Sequence, residues 1–254
     1  MNRILVIGGT SDVGESFVKR FHKMGKSVIV TGRREQKLKE LQESLIGVDV
    51  YAMDIGNLRT LPSHVDTIFS RFPDVDTVWE NLGIQYSSDI KDVSTTTHEK
   101  VSEEIVVNVT APMILARHFI PRLLKQSTET NFMITSSGLG FVPVGSLFPI
   151  YCPAKAAIHA YPVGIRQALK GTNVNVLELV PPFVGGTELG AEHKDKVAKL
   201  TPMGLEEFTD DIFKVWDETQ SKDLKEVVAG SAVNRVDAWR SSIGEILVNS
   251  GLGG

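Results

Sequence analysis

Apolar residues along the chain alternate between short continuous runs and helical stripes. Residues 3–7 form a run that meets glycines, and residues 14–24 then place Phe17, Val18 and Phe21 at helical spacing, with Gly25 closing the helix. Ser27–Thr31 reads as a second strand. The charged segment Glu35–Leu45, with Leu38, Leu41 and Leu45 on one stripe, reads as a second helix. The order repeats with strands over Val48–Ala52, Val75–Trp79, Asn131–Thr135 and Val174–Val180 and helices over Pro62–Phe72, Glu99–Lys125 and Cys152–Lys170. Pro112 predicts a kink or local break in the longest of these helices. Strands alternating with helices build a parallel sheet, and strands made almost wholly of Val, Ile and Leu are covered on both faces. The fold class expected is α/β: a doubly wound parallel sheet of the Rossmann type, in three αβα layers, as a single domain over residues 1–254.

Past Pro181 the pattern loosens. Thr187–Leu200 is rich in Gly and charge and follows a strand end, where open α/β sheets place ligands. A substrate-binding loop at about 183–205 and a plain solvated surface helix are both open readings. A helix over Glu206–Trp216, a short strand over Val227–Ala229 and an amphipathic end over Trp239–Leu247 follow, the last serving core packing or a subunit contact.

The 254 residues are 42% hydrophobic and 23% charged, the proportions of a soluble globular protein. A net charge of -4 supplies no field for nucleic acid or anionic membrane, and no apolar stretch approaches a membrane span. The single cysteine, Cys152, excludes an intramolecular disulfide and any multi-cysteine metal site. With no signal segment at the N-terminus, a cytoplasmic location is expected.

Two local patterns carry chemistry. Gly8, Gly9 and Gly14 occupy the turn between the first strand and first helix, with Thr10, Ser11, Asp12 and Val13 between them. Backbone amides and the positive helix end there can receive a pyrophosphate. Asp12 can cap the helix, yet its charge falls near the phosphates. The second strand ends Val30-Thr31-Gly32-Arg33-Arg34, without the carboxylate that would read a free ribose. Arginine there suits a 2′-phosphate, so NADP(H) is the expected cofactor, with no metal. The other pattern is Tyr151 and Lys155, four apart on one helix face, where an ammonium beside a phenol favours the phenolate. Ser137 lies fourteen positions before that Tyr.

These residues resemble the short-chain dehydrogenase/reductase family, in its single-domain branch, over residues 3 to about 190. Gly8–Gly14 is similar to the family's TGxxxGxG turn, with Ile7 for its Thr and Asp12 for its middle Gly. Asp54 and Ile55 match the segment whose acid holds the adenine. Glu80-Asn81-Leu82-Gly83 matches NNAG at Asn81 and Gly83. Pro181 and Val184 match PG-x-V, and Thr187 stands near a Thr that binds the nicotinamide amide. The double Pro, the Ser136–Val144 segment and Glu226–Gly230 resemble oxidoreductases grouped with DltE.

What the resemblance implies is hydride transfer between a nicotinamide and a carbonyl carbon, with Asn108, Ser137, Tyr151 and Lys155 as the catalytic tetrad. Tyr151 would donate the proton, Lys155 would lower its pKa and bind ribose, Ser137 would orient the carbonyl, and Asn108 would hold a relay water. Ser136 is the rival for Ser137. The substrate expected is a largely apolar ketone, aldehyde or alcohol, with Phe141, Val142, Val144, Leu147, Phe148 and Phe183 around it. A cofactor-binding regulatory or scaffolding protein with little turnover is the alternative. The family also implies a homodimer or homotetramer on the helices 99–125 and 152–170. Their stripes carry Val106, Val109, Met113, Ile158, Tyr161 and Ile165, more apolar surface than one sheet face is expected to cover.

Overall fold

The structure is a computed structural model that describes residues 1–191, 195, 197, 201–219 and 224–250. Seven parallel strands, β1 (Arg3–Ile7), β2 (Ser27–Gly32), β3 (Asp49–Ala52), β4 (Thr77–Glu80), β5 (Thr130–Thr135), β6 (Val174–Val180) and β7 (Glu226–Val228), form one sheet. Its order, β3-β2-β1-β4-β5-β6-β7, runs outward from β1 and then restarts on the other side with β4. The crevice past the carboxyl ends of β1 and β4 is therefore the topological switch point.

Alternation along β1 divides the core. Ile4 and Val6 pack with Phe17, Val18 and Phe21 of α1 (Asp12–Lys23), Leu38 and Leu41 of α2 (Glu35–Ser44) and Phe208, Ile212 and Phe213 of the helix Leu205–Glu218. Leu5 and Ile7 face α3 (Leu61–Arg71), α5 (Ala111–Leu123) and α7 (Tyr151–Ala168). The first layer is aromatic: Phe17 lies 4.7 Å from Trp79 and 5.2 Å from Phe213 between ring centres. Each such fully buried ring stabilises the fold by about 1.5–3 kcal/mol.

The long helix carries a bulge. α4 (His98–Ile105) passes through a π-helical turn, Val106–Thr110, into α5, so the irregularity falls just before Pro112, which has no N–H to give to a carbonyl of the preceding turn. α6 (Gly138–Phe141) is one turn after β5, and α8 (Glu188–Ala191) another after β6. The helix Leu205–Glu218 is α9. The amphipathic end divides into α10 (Val233–Trp239), a second π turn and α11 (Glu245–Asn249). Trp239 packs against the His159 ring at 4.6 Å, whereas Ile243 and Ile246 are exposed.

One expectation is corrected. The cap of α1 is Ser11, whose Oγ accepts the Gly14 N–H at 3.2 Å; Asp12 is the first helical residue and points elsewhere. The apolar stripes carried by the helices from α4 to α5 and by α7 are covered in part within the chain. Ile158 and Ile165 are buried in the core, Val109 and Tyr161 pack on it, and Val106 and Met113 are half-buried.

Registration puts three carboxylates in one row. Glu80 pairs with Ile134, Ile134 with Glu178, and Glu178 with Glu226. Paired residues of neighbouring strands share a face, so all three point into the α7 layer. Glu226 meets Arg166 at 2.9 Å and Arg240 at 2.8 Å, and Glu178 meets His159 at 3.0 Å. Glu80 is fully buried and neither of its oxygens has a hydrogen-bond partner among the described residues.

Candidate active site

A cleft of about 1270 Å³ runs along the carboxyl edge of the sheet. Its floor is the β1–α1 turn. Gly8 has φ +80, and a Cβ there would stand 2.3 Å from the Asn81 carbonyl oxygen, while one at Gly14 would stand 2.4 Å from that of Gly8. These glycines let three backbone segments touch. The amides of Gly8 and Gly9 are spent on the Thr31 carbonyl, both at 3.1 Å, and that of Gly14 on Ser11. What remains for an anion is the first turn of α1, where the N–H groups of Asp12 and Val13 have no helical acceptor. Asn81 buttresses the turn, donating to Ser11 Oγ at 3.0 Å and accepting from Thr135 Oγ1 at 3.2 Å.

At one end of the cleft the chain after β2 brings cations together. Arg33 is exposed, lines the cleft and makes no ion pair among the described residues. Arg34 donates to the Thr10 carbonyl at 2.8 Å and to the Glu188 carboxylate at 2.8 Å; Lys37, one turn along α2, reaches the same carboxylate at 3.0 Å. Asp12 Oδ2 accepts the Glu188 N–H at 2.6 Å, so its charge is turned to α8. Asp54 and Ile55 line the same end, the Asp54 carboxylate accepting the Gly56 N–H at 3.0 Å.

The other end holds Tyr151, Ser137 and Lys155. Ser137 caps α6, accepting the Leu139 N–H at 3.2 Å, and its hydroxyl hydrogen-bonds the Tyr151 phenol. Ser136 Oγ is buried without a hydrogen-bond partner among the described residues and does not take that place. Lys155 Nζ donates to the carbonyls of Leu82 and Thr135, each at 3.0 Å. Burial pushes this amine down to about 7, against the pull of the Glu178 carboxylate. The Tyr151 phenol is likewise raised far above its ordinary value by burial, with the Ser137 bond opposing. A phenol lowered by its lysine was the expectation. Nζ stands 5.7 Å from the ring centre with its hydrogens directed at carbonyls, so desolvation outweighs the charge.

Asn108 lies in the π turn, and such turns often re-aim one side chain inside a helix. It donates to the Ile84 carbonyl at 2.8 Å and accepts the Ile84 N–H at 3.1 Å, which ties the strand exit to the helix. Gly83 fits between: a Cβ there would stand 3.4 Å from both Asn108 Oδ1 and Lys155 Nζ. Val184 and Thr187 complete the wall with Pro181, and Thr187 donates to the Val184 carbonyl at 3.1 Å.

Residues 2–198 match the short chain dehydrogenase family. The uncharacterized oxidoreductase DltE of Bacillus subtilis (strain 168) is 32% identical over 204 residues, 80% of this chain and 79% of that protein. The chain belongs to the short-chain dehydrogenases. Its fold is similar to a short-chain dehydrogenase from Sphingobium yanoikuyae solved with NADPH, at a TM-score of 0.83 and 21% identity over 98% of this chain and 95% of that one. It is also similar to a short-chain dehydrogenase/reductase from Burkholderia phymatum solved with NAD, at 0.79 and 17% over 96% and 94%.

The short-chain dehydrogenase cleft of this chain combines free helix amides with cations. Among the described residues no group of three or more His, Cys, Asp or Glu could hold a metal, and no helix is long and apolar enough to cross a membrane.

Sequence reasoning passed over four side chains. Lys37 follows Arg33 by one helical turn, which was the available signal. Glu104 of α4 is buried beside the catalytic end, accepts the Tyr86 N–H at 3.1 Å and is pushed up to about 7 by burial. Glu178 is a lone acid in an apolar strand, and its partner His159 is buried rather than exposed. Glu188 had no signal. Phe148 is buried against Tyr151 and Cys152 and also lines the cleft, so it serves packing and pocket together.

Proposed function

We propose that the protein is an NADP(H)-dependent oxidoreductase acting on a small or medium, largely apolar ketone, aldehyde or alcohol. The observation that carries this reading is one cleft with Tyr151, Ser137 and Lys155 at one end and Arg33 and Arg34 at the other, with Lys37 joined to that end through Glu188. Bound NADP(H) supplies or accepts the hydride. The chain does the rest: Tyr151 gives its proton to the carbonyl oxygen, or takes it from the alcohol, and Ser137 holds that oxygen beside the phenol. Lys155 holds the ribose and, once the site is filled, biases the phenol toward losing its proton. Asn108 keeps the loop after β4 in register with Lys155.

Residues proposed to hold the nucleotide are Thr10, Ser11, Asp12 and Val13 around the helix start, Arg33 and Arg34 at the 2′-phosphate, and Asp54 and Ile55 at the adenine. Asn81, Gly83, Pro181, Val184 and Thr187 lie along the rest. The substrate end is lined by Val144, Leu147, Phe148, Phe183 and Val197, which favours an apolar molecule. A homodimer or homotetramer on α4–α5 and α7 is proposed from the family alone, with light scattering at micromolar concentration as its test. The function is tested by NADPH consumption over a panel of ketones and aldehydes, with NADH as control. Turnover is expected with NADPH on apolar carbonyls; binding of NADPH with no turnover on any member would overturn the enzymatic reading.

A further inference from the structure

The cations after β2 already hold an anion, and it belongs to the chain. Glu188, the first residue of α8, places one carboxylate oxygen 2.8 Å from Arg34 Nη1 and the other 3.0 Å from Lys37 Nζ, with a second Arg34 contact at 3.2 Å. A guanidinium and an ammonium around one carboxylate is the arrangement that also grips a phosphate. The backbone is fixed from a second side, because Asp12 Oδ2 takes the Glu188 N–H at 2.6 Å. Asp12 stands where the family turn has a glycine, so this departure from the pattern positions Glu188. Arg34 also donates to the Thr10 carbonyl, which fixes the guanidinium against the β1–α1 turn.

We propose that Glu188 is a cofactor-discriminating residue, an internal anion that a 2′-phosphate must displace from Arg34 and Lys37. It weakens binding of the phosphorylated nucleotide and leaves the unphosphorylated one nearly untouched. This rests on the NADP(H) reading of the same cleft. Displacement is feasible because all three side chains are partly open to solvent, at 38%, 40% and 62% for Arg34, Lys37 and Glu188, and exposed ion pairs are weak. A phosphate brings more charge and three acceptor oxygens to the same donors. Arg33 lines the cleft without an ion pair among the described residues, so a phosphate has one uncontested partner while Glu188 still holds the other two. The preference for NADP(H) is accordingly smaller than three cations would give.

Adenosine 2′,5′-bisphosphate and 5′-AMP, titrated calorimetrically into the full chain, separate these terms. Glu188→Gln keeps the shape and removes the charge. It is expected to tighten the bisphosphate about fivefold, the scale of one exposed ion pair, and to leave 5′-AMP within about twofold. High salt should shrink the gain. No gain, or an equal gain for both ligands, overturns the proposal. Asp12→Asn, which loosens the backbone contact and leaves the Glu188 charge, should move the ratio the same way by less; a larger effect than Glu188→Gln would assign the discrimination to Asp12 instead. A wild type that binds both ligands equally refutes the NADP(H) reading. In that case Glu188 stands only if Glu188→Gln alone acquires the preference, and falls if it does not.

Discussion

Glu80 should be a net liability to the fold. It lies at the end of β4 between Ile7 and Ile134, fully buried, with both carboxyl oxygens unpartnered, and burial raises its pKa well above 4.5. Burying a polar group without a hydrogen bond costs about 1–3 kcal/mol. Glu80→Met replaces it with an unbranched apolar chain of similar reach and should recover that amount. For a chain of this length each kcal/mol moves Tm by about 2–4 °C, so about 3–10 °C is expected. The pH dependence has a definite sign. A carboxyl whose folded pKa is raised binds its proton more tightly when folded, so its contribution is full below about 4.5 and falls by about 1.4 kcal/mol per pH unit until the folded pKa is passed. Calorimetric melts at pH 5 and pH 8 should therefore show a larger gain for Glu80→Met at pH 8. Glu80→Gln, still polar but unable to ionise, should gain chiefly at pH 8. A Met variant less stable than the parent at both pH values would show that Glu80 is not an orphan, and the reasoning would fail.

Tyr151→Phe should lower kcat for carbonyl reduction by at least about a hundredfold while fluorescence titration finds NADPH affinity within about twofold, since only the proton donor is lost; retention of most activity would sink the assignment. Arg33→Ala should cut the NADPH-over-NADH ratio of kcat/KM by about tenfold, near 1.4 kcal/mol, and an unchanged ratio would remove Arg33 from phosphate recognition. Glu104, pushed up to about 7, opposes stability as pH rises from about 4.5 to 7. Its Tyr86 contact survives in Glu104→Gln, so chemical denaturation should find the variant stabilised at pH 8 and little changed at pH 5. About 3 kcal/mol is the ceiling. Equal effects at both pH values would contradict this.

The parallel sheet and its two covered faces were legible because Ile4–Ile7, Val28–Val30 and Val174–Val180 are runs that only a doubly covered sheet accommodates. Tyr151, Lys155 and Ser137 were legible as spacing, and the structure brings them together at one end of the cleft. The direction of the Tyr151 shift was not, because spacing places an ammonium nearby without saying how dry the site is. Ser11 and Asp12 are equally good caps by type, and only backbone geometry at Ser11 chooses between them. The Asp12–Glu188 contact spans 176 positions, a separation at which no local pattern operates.

The three-carboxylate row has a consequence for how this protein can change over generations. α7 carries Tyr151 and Lys155 over the cleft, His159 on Glu178 and Arg166 on Glu226, so one rigid rod is referenced to the sheet at successive strands, β5, β6 and β7. Adding one residue between Tyr151 and Arg166 would advance everything beyond it by about 1.5 Å and turn it by about 100°. Such an insertion would strand either the buried acids or the phenol. The length of this helix is thereby frozen, and lineages descending from this chain have room to lengthen or shorten only outside it.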